Sequence, residues 1–526
     1  MFALTAQQAM EVDRRTIQEV GLPGLVLMEN AGRAVVRLIE TAFATHLGRG
    51  VAVVAGRGNN GGDGLVVART LASRGVAVRV VSLGKRTQAR GDAAVQWSLL
   101  QHVAADQIEV IEVDAAVDLP RAAAAISQAG VCVDALFGTG LERPIEGLAA
   151  GVVALLNDAA APVIAVDIAS GVHGSTGHVL GCAVRAAVTV CAGALKRGAL
   201  IHPGAAHCGR LHVAEIGFPP SLIESVCDGV EVTTPTAIGS WLPARELTAH
   251  KRSVGRVSIV AGAAGMAGAA VIVTRAALRA GAGLATLAHP RSIGGFPEGL
   301  LPEALTRRVD DDGEGAFGAS SLQGLVEATS GADAVAVGPG VGRSLATLQV
   351  LAALIDVIEV PMVVDADGLR ALPLASTSRP DRVLTPHANE MAVLMGEAVE
   401  AVVRGPVEVA RACARRHGCV VVLKGHRTVV AAPDGRVRIN VTGNPGMASG
   451  GMGDALTGVI ASLLAQGVAT FEAAVAGVFA HGHAGDRLAA RRARVGWLAS
   501  DVADEMPHAF DDIRTRPLEL GAVTMI

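Results

Sequence analysis

Residues 56–64 read Gly56-Arg57-Gly58-Asn59-Asn60-Gly61-Gly62-Asp63-Gly64 and follow an apolar run, 51–55, with the look of a buried strand. Glycine lets backbone approach an anion closely, and a helix opening there would turn free N–H groups and a positive dipole end towards a phosphate. A bare glycine pattern serves a tight turn as readily as a ligand. The two Asn and the Asp add polar groups that a turn does not need, which favours a ligand site. Two later segments carry acids where apolar runs stop. One is Asp134-Ala135-Leu136-Phe137-Gly138-Thr139-Gly140-Leu141-Glu142-Arg143-Pro144, and the other is Asp167-Ile168-Ala169-Ser170-Gly171. Each Asp alone could be a strand cap or a turn former. Three such loops at one sheet edge point to a ligand crevice.

A denser signal lies at 440–454, Asn440-Val441-Thr442-Gly443-Asn444-Pro445-Gly446-Met447-Ala448-Ser449-Gly450-Gly451-Met452-Gly453-Asp454, before a helical stretch from Ala455. Glycines at a helix start make an anion hole suited to a phosphate in transfer. Asp454 stands where a base would take the proton of a hydroxyl attacking phosphorus. The alternative is a carboxylate that merely favours the helix dipole. His387 by itself is more often a structural histidine, but its loop position after a strand favours function. Asp365 and Asp367 read as strand-end caps.

These groups need a frame. Runs at 51–55, 77–82, 107–113, 131–135 and 163–167 are apolar without alternation, as strands buried on both faces are. Helical patterns at 64–74, 93–101 and 148–158 separate several of them. A second cycle has strand candidates at 257–260, 284–288, 334–337, 360–364, 382–384 and 420–423. The expected fold is α/β throughout, with two domains built on parallel sheets. A Pro-rich polar stretch separates them, giving domains at 1–222 and 240–508, a linker at 223–239 and a tail at 509–526.

Composition narrows the function. Aromatics are 2% of the 526 residues, there is no Tyr, and the net charge is −4. Stacking platforms and a basic footprint are both missing, so nucleic acid is not an expected partner. The most apolar segments carry charges and read as buried helices, so no membrane partner is expected. Seven cysteines without ligand spacing read as free thiols in a cytoplasmic protein.

The set NNGGDG, DALFGTGL and DIASG, with Met28-Glu29-Asn30-Ala31-Gly32 upstream, resembles the NAD(P)H-hydrate epimerase domain over roughly residues 1–220. That resemblance implies a Rossmann-like sheet. Asn59, Asn60, Gly61, Gly62 and Asp63, with Gly138, Thr139, Gly140, Leu141, Glu142, Arg143 and Pro144, would bind the hydrated dinucleotide. Asn60, Asp134 and Ser170 would bind potassium, and Asp167 would contact the damaged ring as general acid/base. The family usually has Pro where this chain has Ala169, which would loosen the loop.

The 440–454 segment resembles the ribokinase-like superfamily. Further motifs are His250-Lys251-Arg252, the loop 262–269, Pro302-Glu303-Ala304, Gly338-Pro339-Gly340-Val341-Gly342, Asp365-Ala366-Asp367-Gly368, Thr385-Pro386-His387-Ala388-Asn389-Glu390 and Leu423-Lys424-Gly425-His426-Arg427-Thr428. In this order they resemble the ADP-dependent NAD(P)H-hydrate dehydratases over about residues 240–505. The resemblance implies an α/β/α ribokinase-like domain in which Ala269, Gly340, His387 and the catalytic Asp454 contact the hydrated dinucleotide. Lys424, Gly425, His426, Arg427, Thr428 and Gly453 would hold ADP, with Glu390 acting through Mg2+ and water. The expected partners are NAD(P)H-hydrate and ADP, in a homo-oligomer. A ribokinase-like small-molecule kinase with a non-catalytic N-terminal binding domain is the alternative.

Overall fold

A computed structural model describes the chain except residues 104–106, 376–378 and 521–522. It forms two compact units, Met1–Val230 with Ala522–Ile526, and Glu231–Gly521.

In the first unit the strands lie in the order Val523–Met525, Arg210–Ala214, Val188–Ala192, Val163–Val166, Val131–Ala135, Val51–Ala55, Val78–Leu83 and Ile108–Val113. Every neighbouring pair is parallel. Side chains of a strand alternate between faces. Val51, Val53 and Ala55 enter one apolar core while Ala52 and Val54 enter the other. That double burial is why this strand is an unbroken apolar run. The chain builds outward from Val51–Ala55 to one edge, then returns to build towards the other. The order therefore reverses between Val51–Ala55 and Val131–Ala135, and a ligand crevice opens there.

The helix after the first strand begins at Asn59 and runs to Ser73. The expected loop 59–63 is thus the helix's first turns. Gly64 explains how it fits: a Cβ there would lie 2.5 Å from the Ala135 Cβ. The helix lies close against the sheet because that position has no side chain.

Among the described residues the sheet of the second unit has ten strands. Their order is Val230–Val232, Val437–Ile439, Val429–Ala431, Val420–Leu423, Arg382–Leu384, Met362–Val364, Ala334–Val337, Arg256–Val260, Leu284–Pro290 and Leu305–Val309. Pairing is parallel from Leu305–Val309 across to Val420–Leu423, and antiparallel through Val429–Ala431 to Val437–Ile439. Here too the order reverses beside the unit's first long strand, between Arg256–Val260 and Ala334–Val337. Among the described residues no helix is long and apolar enough to cross a membrane.

Two expected boundaries are corrected. The stretch 223–239 is no open linker: it carries Pro220–Val226 to its end, the sheet strand Val230–Val232 and the start of helix Pro235–Trp241. Its one proline, Pro235, starts a helix, at a position where the missing N–H costs nothing. Nor is 509–526 a tail. Helix Ala499–Thr515 extends into it with Phe510 and Ile513 buried, and Val523–Met525 joins the first unit's sheet. Residues 521 and 522 of that stretch lie outside the described residues. A chain ending at Thr515 leaves Arg210–Ala214 as an unpaired edge, a template for association. Epimerase activity of that truncation is expected to be lost at a lower temperature than in the full chain, with dehydratase unaffected. Equal heat-inactivation curves for the two chains would remove the strand from the stability of the first unit.

Candidate active sites

In the first unit a cavity of about 740 Å3 opens at the switch point. Asp167 leaves strand Val163–Val166 with φ +70, a left-handed conformation rare for a residue with a side chain. The turn is held without the proline that the resemblance would place at Ala169. Ile168 N donates to Val166 O at 2.8 Å, Ala169 is fully buried, and Ser170 N donates to Asp134 Oδ2 at 2.8 Å. Those hydrogen bonds constrain the turn at the place where the proline ring would.

The Asp167 carboxylate accepts from Thr139 N at 3.0 Å and Thr139 Oγ1 at 2.5 Å, and pairs with the Lys196 ammonium. Burial pushes its pKa up, but Lys196 and Thr139 outweigh burial and leave it below the ordinary value. Lys196 is 3% exposed and also donates to Ala192 O at 2.7 Å. Half-buried Asp63 sits in the same cavity. Burial, then repulsion by Asp167, pushes its pKa well above the ordinary value despite Lys196. Two carboxyls with opposite proton affinities therefore share one wall.

Asp134 is fully buried behind them. It accepts from Ser170 Oγ at 2.6 Å and Leu136 N at 3.3 Å, and burial pushes it up to about 6 against those bonds. The Ser170 hydroxyl also accepts from Phe137 N at 2.9 Å. Asn60 is buried against Gly138, and neither its amide oxygen nor its amide nitrogen has a partner.

Of the expected dinucleotide contacts, Asn59, Asn60, Asp63, Gly138, Thr139, Gly140, Leu141 and Asp167 line the cavity. Gly61 and Gly62 are buried in helix packing, and Glu142, Arg143 and Pro144 stand outside the cavity wall. Lys196 is a site residue that the motifs do not reveal. Its signal is the adjacent pair of cations Lys196 and Arg197 inside the otherwise apolar run 188–201, where burial without a partner would be prohibitive.

In the second unit Asp454 lies in the first turn of helix Met452–Ala465. Burial first, and then repulsion by Asp365, pushes it up to about 7 against the pull of Lys424. Lys424 Nζ bonds Asp365 Oδ1 at 2.7 Å and stands 4.0 Å from Glu390 Oε2. Thr457 Oγ1 donates to the other Asp365 oxygen at 2.7 Å. Asp365 is therefore more than a strand cap: its buried charge positions the lysine. Gly453 leaves the lysine its room, since a Cβ there would come within 3.2 Å of Nζ.

His387 forms a bridge to Lys424 and caps helix Ala388–Met395. Its Nδ1 accepts from Asn389 N at 3.1 Å and Glu390 N at 3.2 Å, while the His387 backbone N–H donates to Glu390 Oε2 at 2.8 Å. Its Nε2 remains 3.4 Å from Glu390 Oε1 on a half-exposed ring. Gly340 sits against Ala269, where a Cβ would meet the Ala269 methyl at 2.9 Å. In the turn 424–428, Thr428 Oγ1 donates to Gly425 O at 3.2 Å and Arg427 Nη1 donates to Val441 O at 2.6 Å. Lys424, Gly453, Asp454 and His387 thus come together. Ala269 and Gly340 form a second contact at the ends of strands Arg256–Val260 and Ala334–Val337.

Two doubly wound α/β units, each gathering carboxylates, a lysine paired with one of them and a helix N-terminus at strand ends, define an enzyme with two nucleotide-type sites. A family model described as NAD(P)H-hydrate dehydratase matches residues 257–508, and one described as YjeF-related protein N-terminus matches residues 24–198. The bifunctional NAD(P)H-hydrate repair enzyme Nnr of Moorella thermoacetica is 39% identical over 518 residues, 98% of this chain and 97% of that protein. The enzyme of the same name from Thermofilum pendens is 40% identical over 507 residues, covering 96% and 95%. The chain belongs to the family of bifunctional NAD(P)H-hydrate repair enzymes. An ADP/ATP-dependent NAD(P)H-hydrate dehydratase from Bacillus subtilis, co-crystallised with ATP and Mg2+, is 27% identical; the match covers 54% of this chain and 99% of that one, with a TM-score of 0.47.

Proposed function

We infer that the chain repairs hydrated NADH and NADPH in the cytoplasm, a setting that suits its seven free cysteines. The N-terminal unit interconverts the R and S hydrates, and the C-terminal unit dehydrates the S form with ADP, giving NAD(P)H, AMP and phosphate. The observation that carries this reading is Asp454: a carboxyl tuned to about 7 at a helix N-terminus, beside Lys424, in a family of repair enzymes.

Hydroxide is a poor leaving group. Asp454 takes the proton of the ring hydroxyl as its oxygen attacks the terminal phosphorus of ADP, and AMP departs. The ring nitrogen lone pair then expels the phosphate, and loss of a proton from the adjacent carbon restores the dihydronicotinamide. Lys424, with the turn to Thr428 and Gly453, holds the nucleotide phosphates, while Ala269, Gly340 and His387 seat the substrate. Among the described residues no three His, Cys, Asp or Glu side chains form a complete metal site. Mg2+ suits that, since it binds through one or two carboxylates and substrate phosphates. Glu390 would hold it through water, and bound Mg2+ would neutralise charge developing on the phosphates.

In the N-terminal unit Asp167, held below the ordinary carboxylate range by Lys196 and Thr139, serves as base, and Asp63, whose proton affinity burial and Asp167 raise, serves as acid. Carboxyls whose proton affinities are pushed apart divide the roles in this way. The Asn60 amide oxygen without a hydrogen-bond partner among the described residues, the buried Asp134 carboxylate and the Ser170 hydroxyl are hard oxygen donors that suit potassium. A bound potassium ion would fix those loops around the substrate.

The assay is recovery of absorbance at the nicotinamide band from mixed NADH hydrates. Wild type with ADP is expected to convert both epimers and release AMP; a stable phosphorylated product formed with ATP would instead establish a kinase. Replacing potassium by tetramethylammonium is expected to slow epimerisation and leave dehydration of the S form unchanged. An epimerisation rate indifferent to that exchange removes the ion.

A further inference from the structure

The N-terminal cavity spans the switch point. Asp167 and Lys196 line it beyond strands Val163–Val166 and Val188–Ala192; Arg57 and Leu83 line it at the ends of strands Val51–Ala55 and Val78–Leu83. The helix N-terminus at Asn59 stands between them. A dinucleotide laid across a switch point places one nucleotide on each side and its pyrophosphate at that helix start. With the damaged ring at Asp167, the adenosine half falls beside Arg57.

In such sheets the end of the second strand reads the adenosine ribose: an acid takes a free 2′-hydroxyl, and an arginine accommodates a 2′-phosphate. Here that strand ends Leu83-Gly84-Lys85-Arg86, with no acid. Arg57 lies across it. Its Nε donates to Leu83 O at 3.2 Å, and a Cβ on Gly84 would come within 2.3 Å of Nη2. Gly84 also has φ +86, a backbone conformation that calls for glycine. Lys85 faces Asp114 at 3.6 Å and Arg86 faces Glu112 at 3.7 Å. Arg57 makes no ion pair among the described residues. Asp13, Asp63 and Asp167 all feel the charge of Lys196, at the other end. Asp92 also lines the cavity but makes no ion pair with Arg57 among the described residues, so one oriented guanidinium remains at the adenosine end.

Resting on the repair reading above, we propose that Arg57 is a specificity residue of the epimerase: seated over Gly84, it takes the 2′-phosphate of the substrate and makes hydrated NADPH the better substrate. Lys85 and Arg86, held by their own carboxylates, add little.

The test uses the full chain without ADP, so that dehydration is silent, and follows epimer interconversion by chromatography. Wild type is expected to show the higher kcat/KM for hydrated NADPH. Arg57→Ala should lose about tenfold or more of it, mainly through KM, as befits a charge-assisted bond to phosphate. Its activity on hydrated NADH should stay within about twofold of wild type, since that substrate offers Arg57 no 2′-phosphate. Lys85→Ala should keep the wild-type ratio of the two substrates. Equal losses on both substrates in Arg57→Ala, or an unchanged ratio, overturn the proposal. A wild type that interconverts neither hydrate overturns the repair reading instead. Calorimetry then decides Arg57 alone: adenosine 2′,5′-bisphosphate should bind wild type more tightly than adenosine 5′-monophosphate, and Arg57→Ala should abolish that advantage. No advantage in wild type overturns the proposal as well.

Discussion

Replacing Asp454 by Asn lowers dehydration of the S hydrate by roughly 10²–10⁴-fold, the usual contribution of a positioned general base. The amide keeps the shape but cannot take the hydroxyl proton, so the loss falls on kcat and leaves KM nearly unchanged. Stability should not suffer. The carboxyl is pushed up to about 7 by burial and by Asp365, with Asp367 and Glu390 adding repulsion, so a neutral group relieves more than it removes. Thermal unfolding of the second unit is expected at the wild-type temperature or above. The same shift sets the pH profile of the wild type. A base must be ionised, so dehydration rises as pH climbs through about 7 and levels off above it. A variant that dehydrates at the wild-type rate, or a wild-type profile flat across neutral pH, would displace Asp454 from the role of base.

Asp167→Asn is expected to stop the other half of the repair. Given both epimers and excess ADP, the variant should consume the S fraction quickly and then stall, the R fraction following only at its spontaneous rate. Its epimerase loss should be of the same order, roughly 10²–10⁴-fold. Lys196, 3% exposed, loses its counter-charge in that variant. Breaking one side of a buried pair costs about 3–5 kcal/mol, so loss of fold has to be distinguished from loss of chemistry. Lys196→Met together with Asp167→Asn removes both charges and should restore the thermal stability of the first unit without restoring epimerisation. Completion of the mixed reaction by Asp167→Asn at the wild-type rate would refute the assignment of epimerase to this unit and favour a binding module.

Much of both sites is legible in the order of residues. Unbroken apolar runs reveal strands buried on two faces, and glycines with acids and amides where such runs end mark the loops that face a ligand. Asp167, Asp134, Ser170, His387, Lys424 and Asp454 are all reachable in this way, because each sits within a few residues of a strand end or a helix start. Weaker elements escape. Val188–Ala192 is interrupted by Thr189, and Arg210–Ala214 alternates polar Arg210 and His212 with apolar side chains, so neither reads as an unbroken apolar run. Val523–Met525 is exposed in part and follows a charged stretch; only pairing with Arg210–Ala214 makes it a strand.

By itself the sequence determined which residues can bind phosphate, move protons and bury an α/β core, since those are properties of side-chain type and short-range spacing. Tertiary structure alone decided which charges meet. Lys196 lies 29 positions after Asp167 and Lys424 lies 59 after Asp365, yet each pair is in contact and sets the proton affinity around it. That affinity depends on distance through space and on exclusion of water, because Coulomb energy grows as both the separation and the local dielectric constant fall. Neither quantity is written in the order of residues along the chain.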